Sequence, residues 1–496
     1  MMKKTVTSLK LAVMLLAINI IVSVVSFTSY TNNQQVYAQS IDDDANTNDD
    51  NGNSLSFIEP INLTNNTRDS VYAQIASHGD NVYMVWQENN PDPLDRNNKV
   101  NNNIQYNNDN YRNYDIYIKK STDGGLTFSK EINLSKNPGF SEHPQIAISE
   151  NNVYVAWIDA SSSSSSSTTI KNQEIYFRKS IDGGNTFDKI INLSNSSNAD
   201  SYNLEITAAG NNVYAVWQDT TLPTADVDTS SSSSSGGVNA DNNSDRSSIS
   251  GSKENSSILF RASTDDGNTF KKIKSLSNSA FKSYPKIAAF ENSAYVVWNV
   301  GILGDSNSED NNAANNINSG IFFTKSFDSG NSFSDTIKLN SNRNSIGESQ
   351  IAAYGNNVYV VWGGNPDEKV IGDIFFVKST DNGNRFAKAV SLGEPNSLNV
   401  EIIADGNNNV YIAWQALLSA DNICPSCLLK PDDNEEILFK KSSDNGATFT
   451  NINENISKNK GISECTSIAI SENNNVYVAW EDFTYGNHEI LFSKSI

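Results

Sequence analysis

The sequence predicts an all-β fold, a seven-bladed β-propeller of four-stranded blades closed by an N-terminal strand that joins the C-terminal blade. Three observations carry this expectation. First, a segment Val/Ala-Tyr-x-x-Trp occurs seven times, ending at Trp86, Trp157, Trp217, Trp298, Trp362, Trp414 and Trp480, and these are all seven tryptophans of the 496-residue chain. Second, a segment Ser-x-Asp-x-Gly-x-(Thr/Ser/Arg)-Phe occurs six times, starting at Ser121, Ser180, Ser263, Ser326, Ser379 and Ser442. Third, each such Ser lies 35–38 residues before the next Trp, whereas the distance from a Trp to the next such Ser ranges over 17–46 residues. One half of the unit is constant and the other holds a variable insertion, as expected of a repeated unit with one tolerant surface loop.

The elements follow in chain order. Lys3, Lys4 and Lys10 accompany an apolar run from Leu11 to Phe27, and Val36-Tyr37-Ala38 offers a small-residue cleavage site. Residues 1–38 read as a signal peptide or, if uncleaved, as a membrane anchor. Either reading places the rest of the chain outside the cytoplasm, secreted or at the cell surface. Residues 39–54 carry Asp42-Asp43-Asp44 and Asp49-Asp50 with almost no apolar content, and are expected to form a disordered acidic spacer.

Residues 55–496 are the predicted propeller. In the unit after the first box, four short strands are expected: Gln-Ile-Ala-Ile at 145–148, Val-Tyr-Val-Ala-Trp at 153–157, Glu-Ile-Tyr-Phe-Arg-Lys-Ser at 174–180 and Lys-Ile-Ile-Asn-Leu at 189–193. Each is rich in β-branched and aromatic residues and is bounded by Asn, Gly, Ser or Asp. Small sheets that bury both faces against their neighbours suit a propeller, whereas a straight solenoid would need distinct capping repeats. The ends of the pattern support a ring. The chain stops at Ser495-Ile496, where a seventh box would begin, and Ser56-Phe57 through Leu63 matches a box end plus a fourth strand. Phe57 lies 29 residues before Trp86, and the six box phenylalanines lie 28–31 residues before their tryptophans. Residues 56–63 should therefore complete the last blade and leave no free edge.

Composition narrows the function. Asp and Glu number 57 against 36 Lys and Arg, a net charge of −21, which argues against a nucleic-acid partner because phosphate binding needs clustered cations. Three cysteines, Cys424, Cys427 and Cys465, are too few for a disulfide-stapled scaffold. Cys424-Pro-Ser-Cys427 reads as a small disulfide across an extracellular loop. A metal site recruiting Cys465 with His143 or His488 lacks the second Cys-x-x-Cys of a strong pattern, so no metal and no cofactor is expected.

Ser121-Thr-Asp-Gly-Gly-Leu-Thr-Phe128 and Ser180-Ile-Asp-Gly-Gly-Asn-Thr-Phe187 resemble the Asp-box, or BNR repeat, of sialidases and related propellers. The resemblance spans residues 56–496, with Phe where many members have Trp. It implies that each box is a turn between third and fourth strands, away from the active face. Asp123, Asp182, Asp265, Asp328, Asp381 and Asp444 would accept turn N–H groups, Gly125 and its equivalents would supply positive φ, and the Phe would pack between sheets. Sialidases of this kind grip the sugar carboxylate with three arginines, the first in Arg-Ile-Pro, and use a Tyr/Glu pair with an Asp acid/base. Here Arg-Ile-Pro does not occur, only eight arginines exist, and Arg178, Arg261 and Arg385 fall on third strands or in a box turn. Seven blades also depart from the six of sialidases. The resemblance thus speaks for the fold and not for sialidase catalysis.

Candidate binding residues come from the innermost strands. Gln74, Gln145, Glu205, Lys286, Gln350, Glu401 and Ser467 precede the Ile of each first strand, and two residues earlier come Tyr72, His143, Asn203, Tyr284, Glu348, Asn399 and Cys465. Such a ring at the channel mouth suits hydroxyl-rich ligands and also describes an ordinary wet channel lining. Carboxylates recur at the ends of second strands (Glu88, Asp159, Asp219, Asp482) and the starts of third strands (Asp115, Glu174, Asp373, Glu436, Glu489). A pair such as Asp159 and Glu174 is near enough for glycoside hydrolysis, but recurrence in blade after blade points to turn capping instead. The expected role is non-catalytic binding of an extracellular glycan or protein by a monomer, through the face bearing the insertions at 88–113, 159–172, 219–256, 300–318, 363–372, 416–434 and 481–487. Contact with a membrane is expected only through an uncleaved N-terminal anchor. The rivals are a glycoside hydrolase or lyase with a divergent site, and a structural cell-envelope component.

Overall fold

The structure is a computed structural model that describes residues 55–89, 114–136, 140–160, 173–196, 199–221, 255–277, 282–300, 320–340, 347–364, 373–394, 397–418, 434–451, 453–459 and 461–496. The leader at 1–38, the spacer at 39–54, Cys424 and Cys427 lie outside these residues, as does most of each insertion apart from 481–487. Among the described residues no helix is long and apolar enough to cross a membrane.

Seven antiparallel four-stranded sheets account for all the strands. Blade one runs through Ser70–His78, Asn81–Asn89, Tyr114–Ser121 and Ile132–Asn133. The next five blades repeat this order from first strands Ser141–Ser149, Ser201–Ala209, Lys282–Phe290, Ser349–Tyr354 and Ser397–Ala404. Blade seven takes Ser463–Ile470, Val476–Asp482 and Glu489–Lys494 from the C-terminus and Ile61–Asn62 from the other end of the propeller. Each first strand packs against the first strands of both neighbouring blades in a closed cycle, so these strands are innermost and the ring is complete.

The closing strand sits in the expected register. Ile61 pairs with Phe492 and Asn62 with Leu491, and Phe57 bridges Ser495. Leu63 N–H donates to the Ile490 carbonyl at 2.9 Å and Ile496 N–H to the Ser56 carbonyl at 2.9 Å.

Second strands lie mid-blade with both faces covered, so they read as continuous apolar runs instead of alternating ones. All seven tryptophans are 0–3% exposed. The cores lie between blades: Trp86 clusters with Ala469, Tyr477 and Phe492 of blade seven. First strands are longer than the sequence suggests, Ser141–Ser149 against 145–148, because in six of the seven blades the strand extends through a bulge. Fourth strands are shorter, Ile191–Asn192 against 189–193, because the outermost strand pairs on one side only.

The six repeated turns act as wedges between blades. In each, the Ser hydroxyl donates to the Asp carboxylate at 2.6–2.8 Å, and the Gly N–H donates to the Ser Oγ at 2.8–3.0 Å. Turn N–H groups and the Thr hydroxyl also donate to the carboxylate, as for Thr127 on Asp123 at 2.9 and 2.6 Å. These bonds hold Asp123, Asp265 and Asp444 down near pKa 2, and they depress Asp182, Asp328 and Asp381 as well. Phe187 packs against the cluster containing Ile118; in the other five of the six turns the Phe meets a third-strand Phe of the preceding blade edge-on, as Phe128 on Phe492 at 5.2 Å, Phe270 on Phe177 at 5.1 Å and Phe333 on Phe260 at 4.8 Å. Phe57 does the same on Phe439 at 5.1 Å, so it fills the place of the turn Phe missing from blade seven. The turn Gly has φ of 70–81° and in five of the six turns backs onto the same ring, Gly184 facing Tyr83 instead. A Cβ on Gly330 would lie 2.5 Å from Phe260.

Candidate functional site

The site grows out of the innermost strands. In six blades the pairing of first and second strands slips by an extra residue, between Val71 and Gln74, Glu142 and Gln145, Tyr202 and Glu205, Ser283 and Lys286, Leu398 and Glu401, and Glu464 and Ser467. Each slip holds one residue in the left-handed region: Tyr72 (φ 55°), His143 (50°), Asn203 (51°), Tyr284 (54°), Asn399 (46°) and Cys465 (51°). A bulge of this kind re-aims a side chain. Left-handed backbone is costly for bulky residues and persists only where the surroundings impose it. These are six of the seven positions that the sequence places two residues before the polar set of the first strands; the inverted backbone there is not visible in the sequence. Blade five departs, since its first strand begins at Ser349 and Glu348 lies exposed ahead of it.

The residues two positions on do meet around the ring. Ser467 donates to Gln74 at 3.2 Å, Lys286 to Glu205 at 3.1 Å, and Gln350 to Glu401 at 2.6 Å. Gln145 is half-buried in the equivalent place. Burial lifts Glu401 to about 8, against the pull of Lys286 and with the charges of Glu205 and Glu348 adding to the lift. Burial opposes the charge on Lys286, but Glu205, Glu401 and Glu348 outweigh it and raise its pKa.

Next to this ring, at the junction of blades seven, one and two, lies a group with no counterpart among the described residues of the other blades. Glu464 and Glu481 face each other across paired strands, and His488 precedes the third strand. Glu464, Glu481 and His488 each offer an atom within 4.8 Å of the others. His488 Nδ1 lies 3.8 Å from Glu481 Oε2 and 4.0 Å from Glu464 Oε1. Glu481 accepts the Tyr72 N–H at 2.6 Å, and the Tyr72 ring packs on the His143 ring at 4.3 Å. The Phe483 ring backs His488 at 4.9 Å. Burial pushes Glu481 up to about 8, the Tyr72 N–H pulls it back, and the charge of Glu464 adds to the rise. Burial, joined by the nearby carboxylates, drives Tyr72 up to about 12 and raises the Cys465 thiol. Burial lowers His143 to about 4.

The recurring carboxylates have structural partners. Glu88, Asp159 and Asp219 accept the indole N–H of Trp86, Trp157 and Trp217 at 3.1, 3.1 and 3.0 Å. They also accept the hydroxyls of Ser70, Ser141 and Ser201, and Asp482 repeats the pattern with Trp480 and Ser463. Asp115, Glu174, Asp373, Glu436 and Glu489 accept a Ser or Thr hydroxyl at the end of the fourth strand. In four of these blades that hydroxyl oxygen accepts the N–H of Ile116, Ile175, Ile437 or Ile490. Asp159 and Glu174 are register partners, but each is held in its own clasp.

Among the described residues, Arg68, Arg178 and Arg261 are engaged away from the ring. Arg68 pairs with Glu88. Arg178 donates to the Leu134, Phe187 and Asp188 carbonyls, and Arg261 to those of Leu193 and Lys271. Two surface clefts, one lined by Lys274, Thr324 and Phe333 and one by Tyr83, Lys120 and Asp182, lie away from the ring. Sequence reasoning did not assemble Glu464, Glu481 and His488. A signal was present: only blade seven has Glu after its Trp, and the chain has only three histidines.

No protein-family model matches the sequence, and no curated protein does. By structure the chain is similar to a protein of unknown function from Dyadobacter fermentans, at 12% identity and TM-score 0.47, covering 89% of this chain and 98% of that one. It is similar to a mutant of Trypanosoma rangeli sialidase displaying trans-sialidase activity, at 11% identity and TM-score 0.43, covering 89% of this chain and 59% of that one. It is also similar to a mutant of the NanB sialidase of Streptococcus pneumoniae, at 11% identity and TM-score 0.44, covering 77% of this chain and 74% of that one. Likenesses at this level carry no argument about activity.

Proposed function

We propose that this chain is an Asp-box propeller of sialidase-like type that works outside the cytoplasm as a non-catalytic, monomeric module binding a hydroxyl-rich glycan at the channel mouth. The observation that carries the reading is the ring of bulges. Six innermost strands hold a residue in a strained conformation that presents Tyr, His, Asn or Cys, followed by Gln, Glu, Lys or Ser two residues on. Tyr72 and Tyr284 are 42% and 41% exposed, and flat aromatic faces beside amides and carboxylates are the furniture of sugar recognition. Outside the blade-seven group, the described carboxylates at the ends of second strands and starts of third strands form clasps that hold the blades, which supports reading the recurring acidic pairs as structural. The test is a glycan array probed with the full-length protein and with Y284A. Binding to a glycan class, reduced about tenfold or more in Y284A, supports the reading; capture of no glycan overturns it.

A second reading, an exo-glycosidase of sialidase-like type, is favoured by one observation. Glu464 and Glu481 are a close acidic pair that occurs once in the ring, and burial of Glu481 separates its acidity from that of a solvated carboxyl. Fluorogenic sialosides and neutral glycosides test it. Turnover lost in E464Q would replace the binding module with an enzyme.

A further inference from the structure

We infer that Glu464, Glu481 and His488 form a zinc-type divalent-metal site with an open coordination position, with the Cys465 thiol beside it. The donors are one imidazole nitrogen and two carboxylates, on three consecutive segments of blade seven. Glu464 and Glu481 belong to paired strands, and His488 is tied by its carbonyl to Ser70 N–H at 2.9 Å.

Two observations separate this group from a chance meeting of acids. His488 Nδ1 is buried with no hydrogen-bond partner, although it points between two carboxylate oxygens at 3.8 and 4.0 Å. Those distances are too long for hydrogen bonds and suit atoms arranged around a third body. The Glu481 side chain is 4% exposed, and among the described residues the groups on it are the Tyr72 N–H, the Cys465 thiol and the His488 imidazole, with no Lys or Arg. A buried carboxyl group is costly as an anion unless a proton or a metal ion completes its surroundings, and a zinc ion can take the place of that proton. Zn–N and Zn–O bonds of about 2.0–2.2 Å place tetrahedral ligands about 3.4 Å apart, so small rotations of the half-buried Glu464 and His488 close the site. Calcium needs six to eight oxygens and does not fit this donor set.

The supporting contacts match those of a metal centre. The Tyr72 N–H holds Glu481 Oε1 and leaves Oε2 toward His488. The Phe483 ring fixes the imidazole plane. Three protein ligands leave a fourth position for water or a ligand hydroxyl. The inference stands apart from glycan binding, since its test uses the metal alone.

Competition of Zn2+ between the full-length protein and a chromophoric chelator should give one bound ion per chain. E464Q and H488Q should each weaken binding about tenfold or more, while H78Q, at a half-buried histidine beside Glu472 and outside the group, should not. Zn2+ should also slow alkylation of the Cys465 peptide in the unmutated protein about tenfold, a readout that survives if a variant fails to fold. Absence of stoichiometric zinc, affinity unchanged in both variants, or an unprotected Cys465 would show that His488 is merely a counter-ion to two acids and would overturn the site.

Discussion

Gly330 and Gly393 form a matched pair for weighing the wedge between blades. Their φ values are 75° and 74°, so any side chain pays the same left-handed cost, about 1–2 kcal/mol. Their surroundings differ. A Cβ at Gly393 meets nothing within 4 Å, whereas one at Gly330 lies 2.5 Å from Phe260 Cε1, 2.6 Å from Cζ and 3.4 Å from Ala262 Cβ. Phe260 cannot withdraw easily, because Phe333 meets it edge-on at 4.8 Å and Tyr214 stacks on it at 6.0 Å. Overpacking of this kind costs about 1–3 kcal/mol. The entropy that alanine removes from the unfolded chain, about 0.4–1 kcal/mol, is common to both variants and cancels. G393A should therefore lose about 1 kcal/mol, and G330A about 1–3 kcal/mol more. Urea unfolding of both full-length variants, compared at a common slope, reads the difference. Equal midpoints would refute the argument that blade contact, and not the turn alone, demands glycine there.

Three further outcomes are expected. Glu401 titrates near 8 in the folded protein, above its unfolded value of about 4.5, so the native state holds the extra proton between them. Stability should fall as pH rises from about 5 to 8, by up to about 1.4 kcal/mol per unit, and E401Q should flatten that slope; an unchanged slope in urea titrations would place the proton elsewhere. Trp298 N–H is buried with no partner, and Val300 stands where Glu88, Asp159, Asp219 and Asp482 clasp the indoles of four other blades. V300D should therefore raise the melting point, by a gain of about 0.5–1.5 kcal/mol, and a lower melting point would show that this blade cannot form the clasp. Removing residues 1–63 deletes the closing strand and bares Glu489–Lys494, so size-exclusion chromatography should show association or aggregation; a clean monomer of unchanged stability would contradict closure by pairing.

The repeat was legible because its chemistry is local. A turn of Ser, Asp and Gly satisfies its own hydrogen bonds wherever it occurs, and a Tyr-x-x-Trp strand buried on both faces needs the same residues each time. Spacing alone placed Phe57 in the last blade, and the structure puts its ring against Phe439. The polar ring was legible as a list of positions, since register fixes which residues share a level. The bulge was not. Tyr72, His143 and Cys465 carry no sequence mark of positive φ, because the conformation is imposed by the slip in pairing and by acceptors from the preceding blade such as Gln87, which takes the His143 N–H at 2.6 Å.

By itself, then, the sequence determined the architecture: seven units, their order, the closing strand and the wedge turns. These follow from residue type and spacing along the chain. The partners of individual carboxylates were decided only in three dimensions. Asp482 and Glu481 are neighbours in sequence, yet one is spent on Trp480 and Ser463 while the other turns toward Tyr72, Glu464 and His488. Alternation along a strand sends adjacent side chains to opposite faces, and what waits on each face is set by the packing of blade against blade.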